Sequence, residues 1–311
     1  MAVALPVFAS PVVGDDSVLG RQSFIPQRVG HRDWQVAPLV SGRCPLRERG
    51  PGSCVTEPSV LWHIIAAASY RRGRCVSTFS DNLTQTMSAL MTTPWDEVKR
   101  DELPRTANVK LSDGAVRVEA AYLYADLAES TLLQKRYKDT FAAKVIRMFL
   151  NGSSQIIRQN HGQIRSFDGD RVMGVFVGGS KRNNAANAAL KINWLVSQCI
   201  NPIVAKRLAD TKTDAKWTVR HGVGVDVGEA FIARAGVRNS GGETTHNDLI
   251  SIGRAPNVAA KLSAMRDLGK GPSIITADVY SHLEDAQKLG GPDKEQMWTG
   301  PHIKSVGPHL M

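Results

Sequence analysis

Cysteine is scarce: the 311 residues hold four (Cys44, Cys54, Cys75 and Cys199), and no two form a Cys-x-x-Cys pair. This excludes a disulfide-stapled scaffold and a zinc ribbon, and it fits a reducing cytoplasm. No run of about 18 apolar residues exists, so no membrane-spanning helix is expected. The first ten residues lack an early positive charge and a clear cleavage site, which argues against a secretory signal. Lysine is missing from residues 1–98, a stretch with nine arginines; the first lysine is Lys99. The eight histidines form no His-x-x-x-His pair and call for no metal. No internal repeat is visible.

What is present is ordinary globular usage, 42% apolar and 22% charged residues, which excludes wholesale disorder. The net charge of +10 leaves nucleic acid, anionic membrane and polyphosphate substrates open as partners. Residues 1–98 are rich in Pro, Gly, Ser and Val and show only one short apolar patch, 60–68. They read either as a flexible regulatory arm or as an upstream stretch joined by a misplaced start, with the natural start near Met87 or Met91. Either reading predicts no packed core there. The expected organisation is a poorly ordered extension over 1–108, a folded domain over 109–285 and a flexible tail over 286–311.

Within the domain, the apolar run 118–126 reads as a central strand, and Ser130 and Thr131 suit the cap of the next element. The spacing of Phe141, Val145, Met148, Phe149 and Ile156 predicts an amphipathic helix over 135–160. Strands at 163–167 and 171–176 flank Asp168-Gly169, a tight-hairpin signal. A second helix is expected over 184–209, with Pro202 breaking or bending it. Strands at 217–226, 230–235 and 248–252, a helix over 256–266, a strand at 274–275 and a helix over 277–283 complete the domain. The order β-α-β-β-α-β with an added hairpin-and-helix unit implies a ferredoxin-like α+β sheet with helices on one face.

Asp126 ends an apolar strand, where a charge has no packing role, and Asp170 lies 44 residues later in the hairpin Phe167-Asp168-Gly169-Asp170. In this topology the first strand and the hairpin are neighbours, so the two carboxylates can converge at one end of the sheet. Paired carboxylates near triphosphate oxygens suit Mg²⁺ or Mn²⁺, hard cations that take oxygen ligands. Alone, Asp126 reads equally as a turn cap and Asp168 or Asp170 as a hairpin residue.

Four motifs in order carry a resemblance to a known family. Asp126-Leu-Ala-Glu-Ser-Thr131 resembles the first metal motif of class III nucleotidyl cyclases, and 161–176 resembles the second. Arg220-His-Gly-Val-Gly-Val-Asp-Val-Gly-Glu229 is similar to the strand and turn that the family places next. Ile252-Gly-Arg-Ala-Pro-Asn-Val-Ala-Ala-Lys-Leu262 is similar to the helix carrying the transition-state residues. The match spans about 118–276. The resemblance implies a class III cyclase catalytic domain whose substrate is a nucleoside triphosphate. It also implies two divalent ions per site, Mg²⁺ or Mn²⁺, on Asp126 and Asp170, with the Leu127 carbonyl as a further ligand. The phosphates would be cradled by Ala128, Glu129, Ser130 and Thr131, where Glu129 stands in place of a frequent Gly and is expected to turn outward. Asn257 takes the position that orients the ribose, and Lys261 that of the usual transition-state Arg. Because lysine lacks the guanidinium fork, Arg254 is a candidate helper. A head-to-tail homodimer with composite sites is implied.

The purine-reading positions of the family are Ser166 and Ile250 here, and neither matches the adenine or guanine pattern. Arg165 and Phe167 beside Ser166 could fill the room of a purine's second ring. This pattern resembles the pyrimidine cyclases of Pycsar anti-phage defence, and implies UTP, favoured over CTP, as substrate. It further implies a separate effector activated by the cyclic nucleotide, and neither nucleic acid nor membrane as a partner. An adenylyl cyclase and a catalytically inactive nucleotide sensor are the alternatives. An RNA-binding module would need exposed strand aromatics, and Tyr122 and Tyr124 read better as core.

Overall fold

Apart from Arg117, Glu119 and Asp126, the residues of 114–128 are apolar or aromatic, so one strand can be covered on both faces. The computed structural model describes residues 4–9, 74–210, 217–237, 246–265 and 271–305. Along the chain come β1 (Ala4–Ala9), α1 (Arg74–Thr92), β2 (Asp96–Lys99), β3 (Gly114–Ala128), α2 (Ser130–Arg136), α3 (Asp139–Gln159), β4 (Gln163–Asp168) and β5 (Arg171–Phe176). Then come α4 (Lys181–Trp194), α5 (Asn201–Asp210), β6 (Arg220–Val237), β7 (His246–Ile252), α6 (Arg254–Ala264), β8 (Ser273–Thr276) and α7 (Ala277–Ser281). The last elements are α8 (Asp285–Lys288), β9 (Leu289–Gly290), β10 (Glu295–Gln296) and β11 (Thr299–Ser305). The described residues of 4–9 and 86–305 belong to one compact unit.

The strand order β6-β3-β5-β4, with α3 and then α4–α5 as crossovers, is the expected ferredoxin-like arrangement. Antiparallel pairing joins β3 to β6 from Ala115–Ala233 to Ala128–Arg220, and to β5 from Ala121–Phe176 to Asp126–Arg171. Period-two alternation sorts β3 between two cores. Ala121, Leu123, Ala125 and Leu127 pack with Val145, Phe149, Ala185 and Ile192 of α3 and α4. Val118, Ala120 and Tyr122 pack on the other face with Ala255 and Ala259 of α6 and with Leu103 and Val109. The helices of the ferredoxin-like core therefore share one face as expected, while α6, from the added unit, covers the opposite one.

Several boundaries differ from the sequence reading. β6 is one strand through Val227-Gly228-Glu229, because β3 is long enough to pair along all of it. The helix expected over 135–160 is broken at Tyr137-Lys138 into α2 and α3. Pro202 sits in the second position of α5, preceded by a π-helical turn, Leu195–Ile200. The wider turn leaves room for the proline ring and its missing donor, so the helix continues past Pro202 instead of ending there.

The domain does not start at 109. β2 pairs in parallel with β3, and Leu103 and Val109 belong to the core under α6. β2 is exposed at every residue, and the segment around Leu103 is irregular, so neither gives a periodic signal. Backbone pairing also ties β1 to β8 and β11. The tail expected to be flexible from 286 holds β9 to β11, and Trp298 is buried, its indole N–H donating to the Gln287 carbonyl at 2.8 Å. Met87 and Met91 lie on α1. The remainder of 1–73, and residues 306–311 of the tail, lie outside the described residues.

Candidate active site

β3 ends at the corner where the β4–β5 hairpin turns. Asp126 stands opposite Arg171 in register, and Arg171 Nε donates to Asp126 Oδ1 at 3.3 Å. The Asp126 side chain is only 13% exposed, so little water shields this pair. Gly169, at φ +60, and Asp170 form the two-residue turn between the paired Asp168 and Arg171. Asp170 therefore adjoins Arg171 and lies one position beyond the Asp126–Arg171 pair, so both predicted carboxylates occupy one corner of the sheet. Among the described residues no cluster of three or more His, Cys, Asp or Glu exists. The protein's side-chain donors there are two carboxylates, acceptor-only oxygens that suit a hard divalent ion completed by substrate oxygens. That Asp126 draws a guanidinium shows that the corner attracts positive charge. Arg171 was not foreseen from the sequence; its position just after the turn was the available signal. Burial raises the pKa of Tyr124, on the same sheet face, with Asp168 adding to the rise and Arg171 opposing it.

The chain leaves β3 through Leu127, Ala128 and Glu129. Glu129 adopts a left-handed backbone, φ 60 and ψ 29, which favours glycine and accounts for the residue the family resemblance expects. Its carboxylate does turn outward, pairing with Arg220 Nη1 at 3.0 Å on an exposed surface. Ser130 and Thr131 open α2, which anchors itself through the fully buried Leu133.

Asn257 and Lys261 lie on α6, one turn apart and both exposed. Ala255, Val258, Ala259 and Leu262 form the buried face, seated on β6 where Gly224 and Gly228 leave room for a helix backbone. Within one chain Asn257 and Lys261 therefore face away from the sheet that carries Asp126. Arg254 opens α6, 49% exposed, with Nη1 3.6 Å from Oδ2 of Asp226. Asp226 is fully buried in β6, and its Oδ1 accepts the Thr276 hydroxyl at 2.7 Å. Burial pushes its carboxyl above the usual range, while Thr276 and Arg254 pull it back. The sequence reading missed Asp226, although an acid inside Gly-Val-Asp-Val-Gly breaks the apolar pattern of a strand.

Ser166 faces Met173, its hydroxyl 3.7 Å from the sulfur, on the sheet face of Tyr124. Phe167 pairs with Val172, which packs with the α3–α4 face, so Phe167 and Ser166 point to opposite sides. Arg165 sits at a bulge in β4 and reaches back to the Pro104 carbonyl at 3.4 Å. Ile250 is 43% exposed in β7, opposite Ala233, and three strands separate it from Ser166. Ser251, next to Ile250, and Arg165, next to Ser166, nevertheless both act on the Tyr122 hydroxyl between them, opposing the burial that raises its pKa to about 12.

No protein-family model matches the chain. It is 37% identical to a uridylate cyclase of Rhodovulum sp. (strain MB263), over 71% of this chain and 89% of that protein. It is 39% identical to a uridylate cyclase of Burkholderia cepacia, over 73% of this chain and 93% of the relative. Among solved structures, a class III adenylyl cyclase-like ATP-binding protein from Pseudomonas aeruginosa aligns with a TM-score of 0.50 and 14% identity, over 70% of this chain and 46% of that one, a likeness of fold. By identity and coverage the chain belongs to the uridylate cyclase family, and it is a nucleotidyl cyclase of the class III fold.

Proposed function

We propose that the protein converts UTP to 3′,5′-cyclic UMP and pyrophosphate. The 3′-hydroxyl oxygen attacks the α-phosphorus, the bond from that phosphorus to the α–β bridging oxygen breaks, and the hydroxyl proton passes to solvent. The observation that carries this reading is the strand register that sets Asp170 beside Arg171, the residue opposite Asp126, within a chain of this family. These two carboxylates would hold the divalent ions, with the Leu127 carbonyl nearby. When bound, such ions lower the pKa of the attacking hydroxyl and neutralise the triphosphate. Arg171 would hand over Asp126 as substrate and ions arrive. Residues 128–131 would receive the β- and γ-phosphates, and Asn257 would orient the ribose. Lys261 and Arg254 would offset charge developing on the α-phosphoryl group.

The exposed Asn257–Lys261 face supports a composite site, in which a second copy brings the carboxylate corner to it. Uracil is favoured by the activity for which the relatives are named and by Ser166, which offers one hydroxyl where an adenine reader would carry a lysine. No helix of the described residues is long and apolar enough to cross a membrane. In this reading the enzyme works in the cytoplasm, and its product activates a separate anti-phage effector. The test is UTP turnover with Mn²⁺ or Mg²⁺, followed as pyrophosphate release. Wild-type protein should turn over and Asp126→Asn should not; equal rates would refute the assignment.

A further inference from the structure

Asp226 is an expensive residue to keep where it is. It lies fully buried in the middle of β6, between Val225 and Val227, under a helix seated on the glycines two residues to either side. Its Oδ1 is satisfied by Thr276, but Oδ2 has no hydrogen-bond partner among the described residues. A desolvated carboxylate oxygen without a donor is costly, and an apolar side chain would pack there at lower cost. The cation that pairs with Asp226 is Arg254, at 3.6 Å.

The geometry of that pair is informative. At 3.6 Å the guanidinium is held by charge and not by a formed hydrogen bond, so its donors stay available to another anion. Arg254 is half exposed, while its partner is fully buried. It opens α6 three residues before Asn257, so the two are neighbours on one helical stretch. A cation in the first turn opposes the helix dipole, and α6 has no acid in its own first turn to offset it. Asp226 supplies that negative charge from beneath.

We infer that Asp226 is a positioning residue: its buried carboxylate fixes the Arg254 guanidinium beside Asn257, so that Arg254 presents to the reacting phosphate the fork that Lys261 lacks. This rests on the proposed role of Arg254 in the cyclase reaction. Thr276 is the second half of the device, since its hydroxyl fixes the carboxylate plane and so the direction of Oδ2.

The experiment is a double-mutant cycle on the full-length protein with UTP and Mn²⁺, measuring kcat and KM for Asp226→Asn, Arg254→Ala and the pair. Asp226→Asn keeps the side-chain shape and an acceptor for Thr276 but removes the charge. It should lower kcat about tenfold with KM changed less than about threefold, as expected for a misplaced group. In the Arg254→Ala background the same substitution should change kcat less than about twofold. A full tenfold loss there would overturn the inference, as would an Asp226→Asn variant with wild-type kcat while Arg254→Ala is impaired. Both outcomes would leave the role of Arg254 standing. An Arg254→Ala variant with wild-type kcat would overturn that role and the inference with it. If Asp226→Asn does not fold, Thr276→Val carries the test: kcat should fall severalfold with Arg254 present and be unaffected with Arg254→Ala, and a loss in both backgrounds would refute the device.

Discussion

Placing a single methyl group at Gly224 tests how α6 is seated. A Cβ on Gly224 would lie 2.1 Å from the Ala259 carbonyl oxygen, 2.5 Å from the Ser263 nitrogen and 2.7 Å from the Leu262 Cβ. Ordinary contact begins at 3.4 Å, so the helix must rise by more than an ångström. Two of the three struck atoms are backbone, and no rotamer change can relieve them. Overpacking of this kind costs about 1–3 kcal/mol. For a domain of this size that lowers Tm by roughly 2–12 °C. The same shift displaces Arg254, Asn257 and Lys261 together, and a misplacement near 1 Å can reduce turnover about a hundredfold. Gly224→Ala should therefore lose far more activity than stability, read by thermal unfolding beside UTP turnover. Gly179→Ala, where a Cβ meets nothing within 4 Å, should match wild type in both assays. A Gly224→Ala protein with wild-type Tm and kcat would refute the helix seat.

Four further outcomes are expected from the same geometry. Asp170→Asn should cut turnover by at least roughly a hundredfold with far-UV circular dichroism unchanged, since one group of a charge-stabilising set is lost; near-normal turnover would remove Asp170 from the site. Mixing Asp126→Ala with Lys261→Ala protein should restore activity that neither has alone, and no recovery after verified subunit exchange would refute the composite site. Glu129→Gly relieves a left-handed backbone worth about 1 kcal/mol, against an exposed ion pair worth about 0–1 kcal/mol. Its stability should thus equal or slightly exceed wild type, and its KM for the triphosphate should fall; a clear loss of Tm would contradict the backbone argument. The Asp226 carboxyl is raised above 3.8 by burial, with Arg254, Thr276, the Val227 amide and Asp278 as the groups around it. A raised acid favours the folded state below its unfolded pKa and loses that advantage as pH rises through the folded one. Asp226→Asn should therefore gain stability relative to wild type as pH climbs from about 4 and then level off; a difference independent of pH would deny the raised pKa.

The two sequence periods made the core legible. The apolar run ending at Asp126 and the hairpin at Gly169 indicated the strand pairing that sets Asp170 beside the residue opposite Asp126. Glu129 was legible as a departure, and its positive φ explains why glycine is usual there. The base site was less legible, because a motif gives spacing along the chain and not which face of a strand a residue takes. The bulge at Arg165 and the alternation that turns Phe167 away from Ser166 depend on pairing with β5. Asp226 was hidden by being part of a strand motif, and only the packing of α6 against Gly224 and Gly228 shows how deeply it is buried. The early domain start and the ordered tail escaped because β2, β9 and β10 are two to four residues long, too short to show a period.

The identity of the cyclic product distinguishes a uridylate cyclase from every other nucleotidyl cyclase. Purified full-length protein is incubated with equal ATP, GTP, CTP and UTP and with Mn²⁺ or Mg²⁺, and the cyclic nucleotides are separated and identified by mass. 3′,5′-Cyclic UMP should be the main product, with pyrophosphate in equal amount. Cyclic AMP or cyclic GMP as the main product, or no cyclic nucleotide with either metal, would contradict the proposed function.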